Sequence, residues 1–110
     1  MSAADETKLN PALQLHQPQI AQLCRRFRVT RLDVFGSAAG ERFDSGHSDI
    51  DLLVEFEPMS AASYADAFFA LKEALELLFG RSVDLIVPSA VRNPYFRRSI
   101  EQNKTLLYAA

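Results

Sequence analysis

Apolar residues along the chain alternate between a helical and a strand period, and nearly every change of period carries a turn signal. From Asn10-Pro11, and more firmly from Pro18, the positions Ile20, Leu23, Cys24 and Phe27 recur at helical spacing, which predicts a helix ending near Arg28. Residues 29–35 switch to period two, with Leu32 and Val34 on one side and Asp33 and Phe35 on the other, and stop at Gly36. Residues 37–43 read as a short helix capped by Ser37, and Asp44-Ser45-Gly46-His47-Ser48 as a loop. A second strand follows over residues 49–57 and is closed by Pro58.

Tyr64, Phe68, Leu71, Leu75 and Leu78 then step by four and three, predicting a long helix over 60–79 that stops at Gly80. Its start falls at Ser60 or at Ser63, the latter forming a capping pair with Asp66. Residues 82–87 are a third strand bounded by Pro88. Asn93-Pro94 opens a last helix through about Gln102, with Phe96 and Ile100 on its inner edge. The apolar run Thr105-Leu106-Leu107-Tyr108 adds a strand or packs on the sheet. Tyr95 and Tyr108 are expected to pack, and Phe69 is left on the outer side of the long helix. Residues 1–9 are polar and unpatterned, a disordered N-terminal end, which leaves 10–110 as a single domain. The fold class is α/β, a small mixed or antiparallel sheet with helices mainly on one face.

Composition narrows the function classes. With 110 residues, 48% hydrophobic and 24% charged, the chain matches one soluble globular unit. Twelve basic against fourteen acidic residues give a net charge of -2, so direct nucleic-acid binding is not expected. Arg25, Arg26, Arg28 and Arg31, and later Arg92, Arg97 and Arg98, read as solvated faces ahead of a phosphate patch. The lone Cys24 sits near the core and suits a reducing cytoplasm, and no apolar run or leader pattern points to a membrane or to export.

The chemistry gathers on the second strand. Asp49 and Asp51 lie two apart, so their carboxylates share a face with roots roughly 7 Å apart, while Ile50, Leu52, Val54 and Phe56 line the other. Two like charges beside Ile50, Leu52 and Leu53 cost stability, on the order of several kcal/mol per ion without a countercharge. A divalent cation removes that cost. Carboxylates without a His or Cys cluster suit Mg²⁺ or Mn²⁺, not Zn²⁺, and two carboxylates at alternate strand positions can bridge ions about 3.5–4 Å apart. Asp84 in the third strand faces opposite to Val83 and Leu85 and can stand beside them on a neighbouring strand. Gly36 allows close approach, and Ser37 offers a hydroxyl and an amide at a predicted helix start, where anions dock. His47, a loop histidine, reads as solvated rather than as a base.

Phe35-Gly36-Ser37 followed by Ser48-Asp49-Ile50-Asp51-Leu52-Leu53-Val54-Glu55-Phe56 resembles the nucleotidyltransferase superfamily typified by DNA polymerase beta, most closely its minimal bacterial members, the MNT proteins of antitoxin type. The resemblance runs from about Arg31 to Tyr108. It implies that Gly36 and Ser37 hold a nucleoside triphosphate, that Asp49 and Asp51 bind Mg²⁺ or Mn²⁺, and that Asp84 completes the catalytic metal site and helps activate an acceptor hydroxyl. The implied reaction moves AMP, or another nucleotide, from ATP or another NTP to that hydroxyl, with pyrophosphate leaving. Two departures stand out: eleven residues separate Ser37 from Asp49, one more than the common pattern, and the usual Ala-Arg-Gly after the turn reads Ala39-Gly40-Glu41-Arg42.

Three functions compete. In the first, the acceptor is a tyrosine of a HEPN-domain toxin and the chain is its antitoxin. In the second, a non-catalytic module neutralises its partner by contact. Small-molecule nucleotidylation ranks last, because 110 residues leave little material for a substrate pocket.

Overall fold

The structure, a computed structural model, describes residues 11–35 and 50–110. The predicted helix over 37–43, the loop after it, Gly36, Ser37, His47, Asp49 and the N-terminal end over 1–9 lie outside the described residues. Two helices open the described chain, α1 (Pro11–Leu15) and α2 (Gln17–Arg26). The periodicity predicts one helix here, but Pro18 has no N–H to donate to the carbonyl four residues back, so the ladder breaks at His16 and restarts with proline in the first turn of α2. Helix α2 ends at Phe27, and the chain reverses through Arg28 at φ 64°, a left-handed conformation that costs a non-glycine residue roughly 1–2 kcal/mol. Arg28 is held there by its own carbonyl, which accepts from Glu57 N, and by an exposed ion pair with the Glu57 carboxylate at 3.3 Å.

Strands β1 (Val29–Phe35) and β2 (Ile50–Phe56) pair antiparallel, Val34 opposite Leu52 and Phe35 opposite Asp51. Helix α3 (Ala61–Phe79) follows, capped by the Ser60 hydroxyl, which accepts from Ser63 N at 3.2 Å; Ser63 itself lies inside the helix. Gly80, at φ 69°, terminates it as expected. Strand β3 (Val83–Ile86) runs parallel to β2, a 3-10 turn occupies Pro88–Ala90, and α4 (Pro94–Asn103) starts at Asn93, whose side chain accepts from Tyr95 N and Phe96 N. The C-terminal run does form a strand, β4 (Thr105–Ala109), antiparallel to β1. The four strands lie in the order β3-β2-β1-β4, a mixed sheet as anticipated.

Period-two alternation divides the burial between the two faces. Leu32, Val34, Ile50, Leu52, Val54, Val83 and Leu85 turn to one face, where Leu13, Ile20, Cys24, Leu71 and Leu75 of α1, α2 and α3 close over them. Tyr64 meets this layer edge-on against Phe56, and burial pushes its phenol above the ordinary value. The other face carries a smaller apolar group, Phe35, Leu53 and Ile86 under Val91 and Ile100, so among the described residues α4 and the segment just before it pack there. Phe96 contributes an edge contact to Phe35, but Tyr95 is 80% exposed and does not pack as expected. Among the described residues no helix is long and apolar enough to cross a membrane.

One buried charge interrupts the second face. Asp33 is 1% exposed and lies between Leu53 on β2 and Leu106 on β4. Arg31, two residues earlier on the same strand, answers it with two contacts, Nε to Oδ2 at 2.9 Å and an amino group to Oδ1 at 3.2 Å. These bonds, with Glu55 and Glu101 nearby, raise the Arg31 guanidinium above its usual value. Arg31 keeps its side chain 42% exposed, but it is tied to a buried partner on its own strand.

Removing Arg31 alone strands a buried carboxylate, so Arg31→Leu should lower unfolding stability by about 2–3 kcal/mol. Arg31→Leu with Asp33→Leu should regain most of the loss, because the replacement side chain at the aspartate's position would lie between Leu53 and Leu106. Urea unfolding of both variants measures this. Burial also pushes the Cys24 thiol up from 9.0 to about 12, so the folded state holds a proton that the unfolded state releases. Stability should then fall as pH rises from about 9 toward 12, and Cys24→Ala should flatten that decline in chemical denaturation at about pH 8 to 11.

Candidate active site

The polar face of the sheet is built row by row from the strand pairings. In the first row Asp84 of β3, Asp51 of β2 and Phe35 of β1 stand side by side, since Asp51 is the partner of both. In the second row Ile86, Leu53 and Asp33 do the same, and Glu55 and Arg31 form the third. Parallel pairing in register puts the roots of Asp51 and Asp84 roughly 5 Å apart, the spacing of neighbouring strands. Both side chains leave the sheet on the side away from α1, α2 and α3, because Ile50, Leu52, Val83 and Leu85 take the other side.

Exposure differs between the two carboxylates. Asp51, on an inner strand, is half-buried, and Asp84, on the edge strand, is exposed. The floor beside them is apolar: Leu53 follows Asp51 on the same face, and a small cavity of about 30 Å³ is lined by Leu53, Pro88, Val91, Arg97, Ile100 and Glu101. Arg92, Arg97 and Arg98 are exposed, in line with their reading as a solvated face. Strand β1 ends at Phe35, directly opposite Asp51, so the residues that precede the Gly-Ser pair reach the same row as the carboxylates.

Two of the three predicted carboxylates are thus brought together. Gly36, Ser37 and Asp49 lie outside the described residues, and among the described residues no group of three His, Cys, Asp or Glu is placed to hold a metal. The donor chemistry of Asp51 and Asp84, two oxygen ligands with no nitrogen or sulfur beside them, fits a hard cation such as Mg²⁺ or Mn²⁺. Sequence reasoning missed Glu76, which supports this row from behind. One oxygen of its carboxylate accepts both Val83 N at 3.0 Å and Lys72 Nζ at 2.9 Å, and these donors hold the carboxyl below its ordinary value. The signal available was the spacing Lys72 to Glu76, an ordinary helical pair, which says nothing about the contact to Val83.

Known proteins point the same way. The family profile described as nucleotidyltransferase domain matches residues 19–107. A Methanocaldococcus jannaschii protein with the provisional name protein adenylyltransferase is 38% identical over 79 residues, covering 71% of this chain and 76% of the relative. A solved structure provisionally described as a minimal nucleotidyltransferase superposes with a TM-score of 0.64 at 34% identity, covering 84% of this chain and 90% of that one. A chain from the complex of a tri-AMPylated Shewanella oneidensis HEPN toxin with its MNT antitoxin gives a TM-score of 0.60 over 89% of this chain and 73% of that one. At 20% identity that last likeness speaks to the fold alone.

Neighbouring like charges on adjacent strands oppose folding by roughly 0.2–1 kcal/mol. In chelator, Asp84→Asn should therefore melt at or slightly above the parent chain, by roughly 1–4 °C, in a thermal denaturation scan. A clear drop in melting temperature would mean that Asp84 contributes to the fold and is not held there against it.

Proposed function

The chain belongs to the nucleotidyltransferase family, and on that premise we propose that it transfers AMP from ATP to a hydroxyl on a partner protein, with Asp49, Asp51 and Asp84 holding Mg²⁺ or Mn²⁺ and Gly36-Ser37 holding the triphosphate. The observation that carries this reading is the in-register placement of Asp84 beside Asp51 on the solvent-facing side of the sheet. A protein acceptor is supported by the provisional name of the Methanocaldococcus jannaschii relative. A HEPN-type toxin, with a tyrosine as acceptor, is the partner we favour, as the resemblance of Phe35-Gly36-Ser37 and Asp49-Ile50-Asp51 to the MNT antitoxins implies.

In the proposed reaction the acceptor oxygen forms a new bond to the α-phosphorus, the bridge to the β-phosphate breaks, and pyrophosphate leaves with the bonding electrons. The divalent ions would supply charge neutralisation for the phosphates and lower the pKa of the acceptor hydroxyl. Asp51, half-buried and fixed in the middle of the sheet, is the less mobile ligand. Asp84 is exposed at the edge, where an acceptor hydroxyl can reach it and lose its proton toward the carboxylate. Little else is asked of the protein, because phosphoryl chemistry of this kind depends on position and electrostatics.

The test is incubation of the chain with Mg²⁺, labelled ATP and the product of the adjacent gene, with the label located by mass spectrometry. Nucleotide should appear on a partner hydroxyl, and Asp51→Asn and Asp84→Asn should each reduce the rate by at least about 100-fold. A partner that stays unlabelled while ATP remains intact, yet is still neutralised by the Asp51→Asn chain, would replace this reading with neutralisation by contact.

A further inference from the structure

Strand β3 is the edge strand among the described residues and has only four residues, paired on one side with β2. Its neighbour among the described strands is β2, and in that parallel ladder Ile50 N donates to Ser82 O at 3.1 Å. Alternate residues of a strand turn their backbone groups to opposite sides, so the Val83 N–H points away from β2, toward the open edge. It does not go unpaired there. Glu76, in the last turn of α3, reaches across and accepts it at 3.0 Å, while Lys72 holds the same carboxylate oxygen at 2.9 Å from one helical turn earlier.

The link between α3 and β3 is short, and beyond it Val83 and Leu85 pack against Leu71 and Leu75 of α3. Gly80 sits at positive φ, Arg81 and Ser82 are at least partly exposed, and the Glu76 side chain is a polar tie that joins the two elements across this turn. Asp84 is the residue immediately after Val83. A shift of the Val83 amide by a fraction of an ångström is thus a shift of Asp84 against Asp51, and carboxylates that share an ion tolerate little of it. An open groove lined by Glu73, Glu76, Leu77, Arg81 and Ser82 borders the tie, so the clamp stands beside solvent.

We propose that Glu76 is a positioning residue for Asp84: its carboxylate, steadied by Lys72, pins the Val83 amide and thereby sets the height of Asp84 beside Asp51 at the metal-binding row. This rests on the reading of Asp51 and Asp84 as metal ligands given above. Capping the edge against stray strand pairing is a second consequence of the same bond.

The experiment compares the full chain with Glu76→Ala, Glu76→Gln and Glu76→Asp. Mn²⁺ affinity in the presence of a non-hydrolysable ATP analogue is measured by electron paramagnetic resonance, and amide hydrogen exchange is read at Val83 and Asp84 without metal. Glu76→Ala should weaken Mn²⁺ binding by about 10-fold or more, in the range for residues that support ligands from behind. Its Val83 amide should exchange faster. Glu76→Gln keeps an oxygen acceptor at the same reach and should stay within about threefold of the parent in affinity. Glu76→Asp should fall between them and covers the case in which Glu76→Ala does not fold.

Unchanged affinity in folded Glu76→Ala or Glu76→Asp overturns the proposal, and so does an equal loss in Glu76→Gln, which would make the charge and not the tie the active feature. A parent chain that binds no Mn²⁺ overturns the metal reading itself. In that event the Val83 exchange still tells whether the clamp exists, so the two failures are distinguishable.

Discussion

The register of β2 against its two neighbours is the constraint on which the rest of the structure depends. Asp51 is paired with Phe35 on one side and with Asp84 on the other, and the residues before and after it, Ile50 and Leu52, are both buried in the main core. Slipping β2 by one residue against either neighbour would turn Ile50, Leu52 and Val54 out of that core and carry Asp51 into it. Burying each of those side chains is worth roughly 1.5–3 kcal/mol, so the slip is forbidden by several such terms together. The carboxylate row is therefore placed by the apolar residues interleaved with it, and its own repulsion is too weak to undo the placement.

The second face of the sheet carries the charges, under different degrees of cover. Among the described residues, helices α1, α2 and α3 close over the first side, whereas on the second Val91 and α4 cover Phe35, Leu53 and Ile86, with Asp51 half-buried and Asp84 exposed. Where a carboxylate on the same face is fully enclosed, at Asp33, it has Arg31 bound to both oxygens. Asp33 is thus enclosed and paired within its own strand, whereas Asp51 is half-buried and Asp84 exposed.

Much of this was legible in the chain. The strands at residues 29–35 and 50–56, the long helix from Ser60 to Gly80 and the cap at Asn93 all come from local rules, alternation, helical spacing and capping chemistry, that act within one element. Pairing of Asp84 with Asp51 was expected from the facing of the two residues along their strands, and the parallel ladder delivers it. What escaped was set by contacts between elements. The break at His16 follows from Pro18, but the left-handed turn at Arg28 has no glycine to announce it and is held by Glu57, twenty-nine residues away. Arg31 looked like one of several surface arginines because its partner's burial depends on Leu53 and Leu106, from two different strands. Glu76 looked like half of a helical pair because its second partner is a backbone amide beyond the turn.

Position on the sheet also separates the roles available to the carboxylates. An inner-strand residue such as Asp51 has neighbouring strands on both sides and is half-buried. Asp84 has a neighbouring strand on one side only, and its other flank lies at the open edge of the sheet. A nucleotide can lie over the middle of a sheet, but the side chain of a folded protein arrives with its own surface around it and needs a free flank. Under the proposed function, Asp84 is the carboxylate whose position suits a protein acceptor. At four residues β3 is also the shortest of the described strands, and in the proposed role the side-chain tie from the adjacent helix is the addition that reconciles access with precision.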